Sequence, residues 1–304
     1  MLIAEVNGKR CSATKGAKGI CPYCKSEVIA KCGEQKIAHW AHKSIQLCDS
    51  WHEKETEWHL MWKNYFPLEW QELIKYDEKT GEKHIADVYT PQGFTLEFQH
   101  SAIKPEERQS REQFYKNMNW VVDGTRLKND YKRFETGIKS AKIFHKIMLP
   151  DQNQTHIGNI LEMPITEDFL PKNWLNSNVP VIFDFKGLNQ IDDPKDLRRF
   201  IFCLLPIKSD SCRYLVQTLP QIFIETSKSG FWKTLIEEQI KVIIRYYQIK
   251  NQPRRPIRSL PRRPTYSLSG YYHPSGPPID RVSYYPKGHK KRQKSYFPKK
   301  RRGF

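Results

Sequence analysis

The sequence predicts an α+β protein in four parts: a cysteine-rich module over residues 1–49, an αβββαβ core over 50–149, a further α/β region over 150–250 and an irregular tail over 251–304. Three observations carry this reading. Five of the seven cysteines fall in the first 48 residues. Between residues 50 and 123, helical and strand periods succeed one another as helix, three strands, helix, strand. Residues 251–304 hold 15 Lys or Arg and one acid, Asp280, so +14 of the net +18 belongs to that tail.

Composition closes off several classes. Hydrophobic residues make up 38% of the chain, enough for a core, yet no apolar run reaches the roughly 18 residues of a membrane span. The opening MLIAEVNGKRC lacks the basic-then-apolar order of an export signal, so the expected location is the cytoplasm. An odd number of cysteines in such a chain argues for metal ligands over a disulfide framework.

Cys21-Pro22-Tyr23-Cys24 is a Cys-x2-Cys pair with a turn-favouring Pro inside it. That spacing lets two thiolates reach one tetrahedral ion, and structural Zn²⁺ is the expected occupant of such a knuckle. Two further ligands must come from His39, His42 and Cys48, with His42 and Cys48 preferred and His39 with His42 the alternative. Cys32, at the end of a strand expected over residues 27–32, is a fallback.

Ser50 and Glu53 have capping-box spacing, which predicts a helix from there to the break at Pro67. Trp58, Met61, Trp62 and Tyr65 form its core-facing stripe, and Glu55, His59 and Lys63 stack at i, i+4 and i+8 beside it. A strand over 70–76 and a turn around Gly81 lead into HIADVYTPQGFTLEFQHS, residues 84–101. Its Pro91–Gly93 turn joins two strands as a hairpin, in which Phe94, Leu96 and Phe98 alternate with Thr95, Glu97 and Gln99. A half-exposed hairpin with a wet polar face is the plain expectation. Lys104-Pro105 then opens a second helix with Arg108, Arg111 and Tyr115 on one face, and an apolar strand over 119–123 closes the unit. Carboxylates from adjacent strands, Asp87 and Glu97, suit a hard divalent cation through oxygen ligands.

These motifs in this order resemble the PD-(D/E)XK nuclease superfamily, and residues 1 to about 125 resemble the competence-protein CoiA-like family more specifically. The matching stretches are CPYC (21–24), HWAH (39–42), ETEWHLMWK (55–63), HIADV (84–88), LEFQHS (96–101) and REQFY (111–115). The resemblance implies a restriction-endonuclease-like core and a Mg²⁺- or Mn²⁺-dependent nuclease acting on nucleic acid, DNA foremost, in uptake, recombination or defence. It implies Asp87 and Glu97 as metal ligands and Glu55 as an additional carboxylate. Gln99 stands where many superfamily members carry a catalytic Lys, and Ile85 where related sequences often carry Arg. Lys63 is the expected stand-in for the lysine, Lys104 the second choice. His59, Arg108, Arg111 and Tyr115 are candidate nucleic-acid contacts. A core that binds without cutting is the alternative, and a zinc-containing protein adaptor is a third reading.

Beyond the core, residues 130–148 read as a basic helix, and short apolar runs up to residue 224 as strands with one helical interruption. Residues 231–247 read as an amphipathic helix with Trp232, Leu235, Ile236, Ile240 and Ile243. Cys203, Cys212, His145 and His156 are expected to be structural. The Pro-, Tyr- and Arg-rich tail suits phosphate neutralisation and base stacking, with Arg254, Arg255, Lys290, Lys291 and Arg292 as candidate contacts. Its bland counterparts are a solubilising tail or a docking segment for protein partners.

Overall fold

A computed structural model describes residues 1–33, 37–43, 48–49, 51, 53–78, 80–164, 169–207, 209 and 211–251. Tail residues Arg254, Arg255, Lys290, Lys291 and Arg292, and Ser50, lie outside the described residues. Short alternating runs at the N-terminus form β1 (Ile3–Val6), β2 (Lys9–Ser12), β3 (Lys18–Ile20), β4 (Glu27–Lys31) and β5 (His39–His42). They pair antiparallel in the order β2-β1-β3-β4-β5 around a small core of Ala4, Cys21, Val28 and Trp40.

The helix–strand–strand–strand–helix–strand order follows: α1 (Glu57–Lys63), β6 (Gln71–Tyr76), β7 (Lys83–Tyr89), β8 (Thr95–Gln99), α2 (Pro105–Tyr115) and β9 (Met118–Asp123). After it come α3 (Asp130–Ile138), β10 (Lys142–Met148), β11 (His156–Pro164), β12 (Val181–Asp184), β13 (Ile201–Leu204), β14 (Cys212–Thr218), α4 (Pro220–Lys228) and α5 (Phe231–Lys250). The protein is thus mixed α+β.

One nine-stranded sheet takes in every strand from β6 on, in the order β10-β11-β14-β13-β12-β9-β8-β7-β6. The β10–β11 hairpin spans the expected segment boundary at 149/150, and β12 lies parallel to β9, so residues 50–149 and 150–250 share a sheet. Core covers both faces. Leu96, Phe98, Val121 and Ile182 pack with Trp58 and Trp62 of α1 and with α4 and α5, while Trp120, Val122, Val181 and Phe183 pack with Phe134 of α3 and Trp174. Asp184 ties α1 to β12: its Oδ2 accepts from the indole N–H of both Trp58 and Trp62 at 3.0 Å. Among the described residues no helix is long and apolar enough to cross a membrane.

Three expectations need correction. The second strand of the hairpin has no wet face, since all five residues of β8 are buried, while alternate residues of β7 are half-buried. A strand covered on both sides carries polar residues only where they have partners. The first helix starts at Glu57, not near Ser50. Its N-cap is Thr56, whose hydroxyl accepts from His59 N while His59 Nδ1 accepts from Thr56 N, a capping box with imidazole in place of carboxylate. Residues 130–148 are helical only to Ile138. The strand β10 hides its period because a bulge near Phe144 shifts the register between Ile143 and His145. Cys203 and Cys212 are buried, whereas His145 and His156 are exposed on β10 and β11.

Candidate functional site

The first candidate is the cysteine cluster. Cys21, Cys24, His42 and Cys48 place one ligand atom each within 4.8 Å of all the others, the one such group of three or more among the described residues. Tetrahedral zinc implies ligand–ligand edges of about 3.8 Å for two sulfurs and about 3.5 Å for sulfur and nitrogen. Cys21 Sγ lies 3.9 Å from Cys48 Sγ, and Cys24 Sγ 3.2 Å from His42 Nε2. The soft donor set and its span fit zinc. Cys21 is held down to about 4, chiefly by its hydrogen bond with Cys48, whose own thiol is pushed up by the same contact and by burial. His39 turns away and bonds its Nδ1 to Ile37 O at 2.8 Å. The reason is strand geometry: three residues apart on β5, His39 and His42 point to opposite faces.

The second candidate is built by strand register. The β7–β8 ladder stops at Val88 opposite Leu96, and the next pair in that register is Asp87 with Glu97. Their carboxylates replace the missing ladder bonds: Asp87 Oδ2 accepts from Phe98 N at 2.9 Å and Glu97 Oε1 from Asp87 N at 3.3 Å. On the other side, β6 pairs with β7 so that Glu72 falls between Gln71 opposite Val88 and Leu73 opposite Ala86, level with Asp87. Three acids therefore cross three adjacent strands in a row. Glu72 is buried with φ +48°, a left-handed conformation that costs a non-glycine residue of the order of 1 kcal/mol or more.

Helix α1 supplies the countercharge. Lys63, 1% exposed, puts its Nζ 2.6 Å from Glu55, 2.9 Å from Asp87 and 3.3 Å from Glu72. Burial works against its charge, but Asp87, Glu55 and Glu72 outweigh it and raise its pKa well above the usual lysine value. Asp87 and Glu72 are in turn held low, each against its own burial, with Lys63 as the main opposing charge. Glu97 is pushed up to about 8 by burial and then by Asp87, although Arg111 of α2 lies 3.2 Å away. Burial also raises Glu55, whose Oε2 is buried without a hydrogen-bond partner.

These groups line a cavity of about 40 Å³ whose wall carries six acids (Asp49, Glu53, Glu55, Glu72, Asp87 and Glu97) and three basic side chains (His59, Lys63 and Arg111). The volume suits a cation or a water, not a nucleotide. Excess buried negative charge, an orphaned carboxylate oxygen and two carboxyls pushed toward protonation are what a site for a hard cation presents before the cation neutralises it.

Gln99 does not face this row as an ammonium would. Its Nε2 donates to Glu53 Oε2 at 3.0 Å, and Glu53 also accepts from Ser101 N and lies 3.4 Å from His59 Nε2. Glu53 is held low despite burial, chiefly by His59 and Ser101. Lys104 is exposed at the N-cap of α2. Ile85 donates its N–H to Asp49 Oδ2 at 2.8 Å. His59 and Arg108, expected at a nucleic-acid surface, are instead 3% and 1% exposed; His59 bonds Phe98 O, and Arg108 bonds Glu112 and Asn176 O. Arg111 is spent on Glu97, Glu107 and Trp51 O, and the Tyr115 hydroxyl is buried without a partner. A one-face helical pattern does not distinguish a surface from a buried charge network.

Leu2, Ile3, Tyr23 and Asp49 tie the N-terminal module to the same strands. Glu72 accepts from Leu2 N and Ile3 N, and the Tyr23 hydroxyl donates to Lys83 O at 2.7 Å while Lys83 Nζ donates to Tyr23 O. Asp49, next to the ligand Cys48, accepts from Ile85 N and pairs with His84 at 3.0 Å. Glu72, Glu53 and Asp49 were not expected in the site. For Glu72 the signal was available: counting the register back through the turn at Gly81 sets it opposite Asp87.

Residues 5–50 match the family model described as competence protein CoiA, N-terminal domain. No curated protein and no solved structure matches the chain. The matched stretch contains all four members of the cysteine cluster, so the similarity to the CoiA-like family lies in this N-terminal module.

Proposed function

We propose that the protein is a divalent-metal-dependent nuclease of PD-(D/E)XK type, acting on nucleic acid in the cytoplasm in a competence-related process. The observation that supports this most is the carboxylate row at the end of the β7–β8 ladder, short of positive charge and with Glu55 Oε2 unpartnered. Asp87 and Glu97 would hold Mg²⁺ or Mn²⁺, with Glu55 beside them. The cation supplies Lewis acidity toward a phosphodiester and its attacking water. Lys63 keeps Asp87 ionised and brings the ammonium that Gln99 lacks. Gln99 instead holds Glu53. The Cys₃His site has a structural role, fixing the module whose backbone Glu72 grips. DNA is the proposed substrate, with the tail as an electrostatic contact.

One observation favours a second reading, a core that binds but does not cut. Lys63 already occupies one oxygen of Asp87 and contacts two further acids, so part of the charge a cation would meet is neutralised. A cleavage assay separates the two. Zinc-loaded protein is incubated with single- and double-stranded DNA, with and without Mg²⁺ or Mn²⁺, beside Asp87→Ala. Metal-dependent cutting that the variant loses supports the nuclease. Tight, salt-sensitive binding with no cutting supports the second reading.

A further inference from the structure

A second imidazole stands beside this pocket, outside the carboxylate row. His100 follows directly on β8, and its Nδ1 lies 2.7 Å from Asp123 Oδ2. Asp123, the last residue of β9, is itself fixed: its Oδ1 accepts from Thr125 N at 2.8 Å and Thr125 Oγ1 at 2.6 Å. A buried carboxylate anchored in this way sets the imidazole tautomer with the proton on Nδ1 and leaves Nε2 to exchange a proton. Nε2 has no hydrogen-bond partner among the described residues, and the His100 side chain is 36% exposed. The surroundings place the ring at the lip of the carboxylate pocket. The His100 backbone N–H donates to Glu53 at 3.4 Å, and its ring centroid is 6.0 Å from that of His59; Glu53 and His59 both line the cavity. The titratable or charged groups against it are Asp123 from β9, His59 from α1 and Glu53 from the segment before α1.

We propose that His100, oriented by Asp123, is a catalytic residue that protonates the leaving sugar oxygen; this rests on the nuclease reading above. Hydrolysis forms a bond between phosphorus and a water oxygen and breaks the bond to the leaving oxygen. The proton that His100 Nε2 gives to the leaving oxygen is replaced from solvent, which takes up the proton shed by the attacking water. Asp123 is a positioning residue: it holds the ring and stabilises the charged imidazole without touching substrate.

The test compares His100→Gln with wild type on two oligonucleotide substrates, one natural and one with a bridging sulfur in place of the 3′ or the 5′ oxygen at a single linkage. A thiolate leaves without a proton. On the natural linkage His100→Gln is expected to lose about 100-fold or more in kcat at neutral pH, the usual scale of general-acid catalysis. On the sulfur linkage it should stay within a few-fold of wild type. Equal loss on both linkages, or no loss on either, overturns the assignment of His100 while leaving the nuclease standing. Wild type that cuts neither substrate with Mg²⁺ or Mn²⁺ overturns the nuclease reading and this inference with it.

Discussion

Replacing Glu97 by Gln should stabilise the metal-free protein, and by an amount that grows with pH. Glu97 is 3% exposed and its pKa rises from 4.5 to about 8 on folding. The folded state thus binds this proton more tightly than the unfolded chain does. Its contribution to stability is fully present below pH 4.5 and is lost as pH climbs through 8. The shift corresponds to about 5 kcal/mol above both values and about 3 kcal/mol at pH 7. Gln cannot ionise and so escapes the loss. The Gln amide oxygen can still accept from Arg111 Nη1, and Glu107 and Trp51 O keep their bonds from Nη2. Urea unfolding of zinc-loaded wild type and Glu97→Gln, in buffer free of Mg²⁺ and Mn²⁺, would be followed from pH 5 to 8.5. The two stabilities should lie close together at pH 5 and diverge in favour of the variant by a few kcal/mol at pH 8. Parallel curves across that range would refute the idea that buried negative charge is uncompensated here. Adding Mg²⁺ at pH 8 should then raise wild type more than the variant, because only wild type has the charge to offset.

Removing the countercharge should act in the opposite direction. Lys63→Met leaves Glu55, Glu72 and Asp87 facing one another, and unfolding should show a loss of about 3–5 kcal/mol near neutral pH; a loss under 1 kcal/mol would mean that the acids are paired elsewhere. Metal analysis should find one zinc per chain in wild type and in His39→Asn, and none in Cys24→Ser or His42→Asn; loss of zinc from the His39 variant would put the wrong histidine in the cluster. Asp184→Ala strands two indole N–H groups and the N–H groups of Lys186 and Gly187, so the melting temperature should fall with a cost of about 3 kcal/mol. An unchanged melting temperature would show that the α1–β12 tie is dispensable.

The parts of this molecule legible in its sequence are those set by local period and spacing. The Cys21–Cys24 turn, the α1 stripe of Trp58 and Trp62, the hairpin turn before Gly93 and the helix start at Pro105 are each encoded within about ten residues. The failures occur where a distant element decides. Glu97 and Gln99 read as a wet face because alternation records which residues share a side, not whether a second layer covers it; Arg111 of α2 and Glu53 meet them here. Arg108 reads as a surface cation because Glu112 at i+4 and Asn176 O, which bury and satisfy it, cannot be seen in the pattern of one helix. The strand β10 reads as helix because its bulge cancels the period of two.

The exchange between positions 99 and 63 shows why a motif departure is a poor guide to the loss of a site. Gln99 removes a positive charge from β8, and on the motif alone the site loses its ammonium. Yet the ammonium is present, delivered from α1 to the same carboxylates, with Asp87 at 2.9 Å. A second lysine at position 99 would meet Glu53 and His59, a pair in which the acid is held low and the imidazole is held high against its burial, chiefly by that acid. A cation there would compete with His59 for Glu53, whereas the neutral amide donates to the carboxylate and adds no charge. Ile85 follows the same logic. The position needs no side-chain cation, because what reaches the neighbouring module is its backbone N–H, taken by Asp49. Charge balance around the carboxylate row belongs to the fold, and a motif records only the part of it that one strand happens to carry.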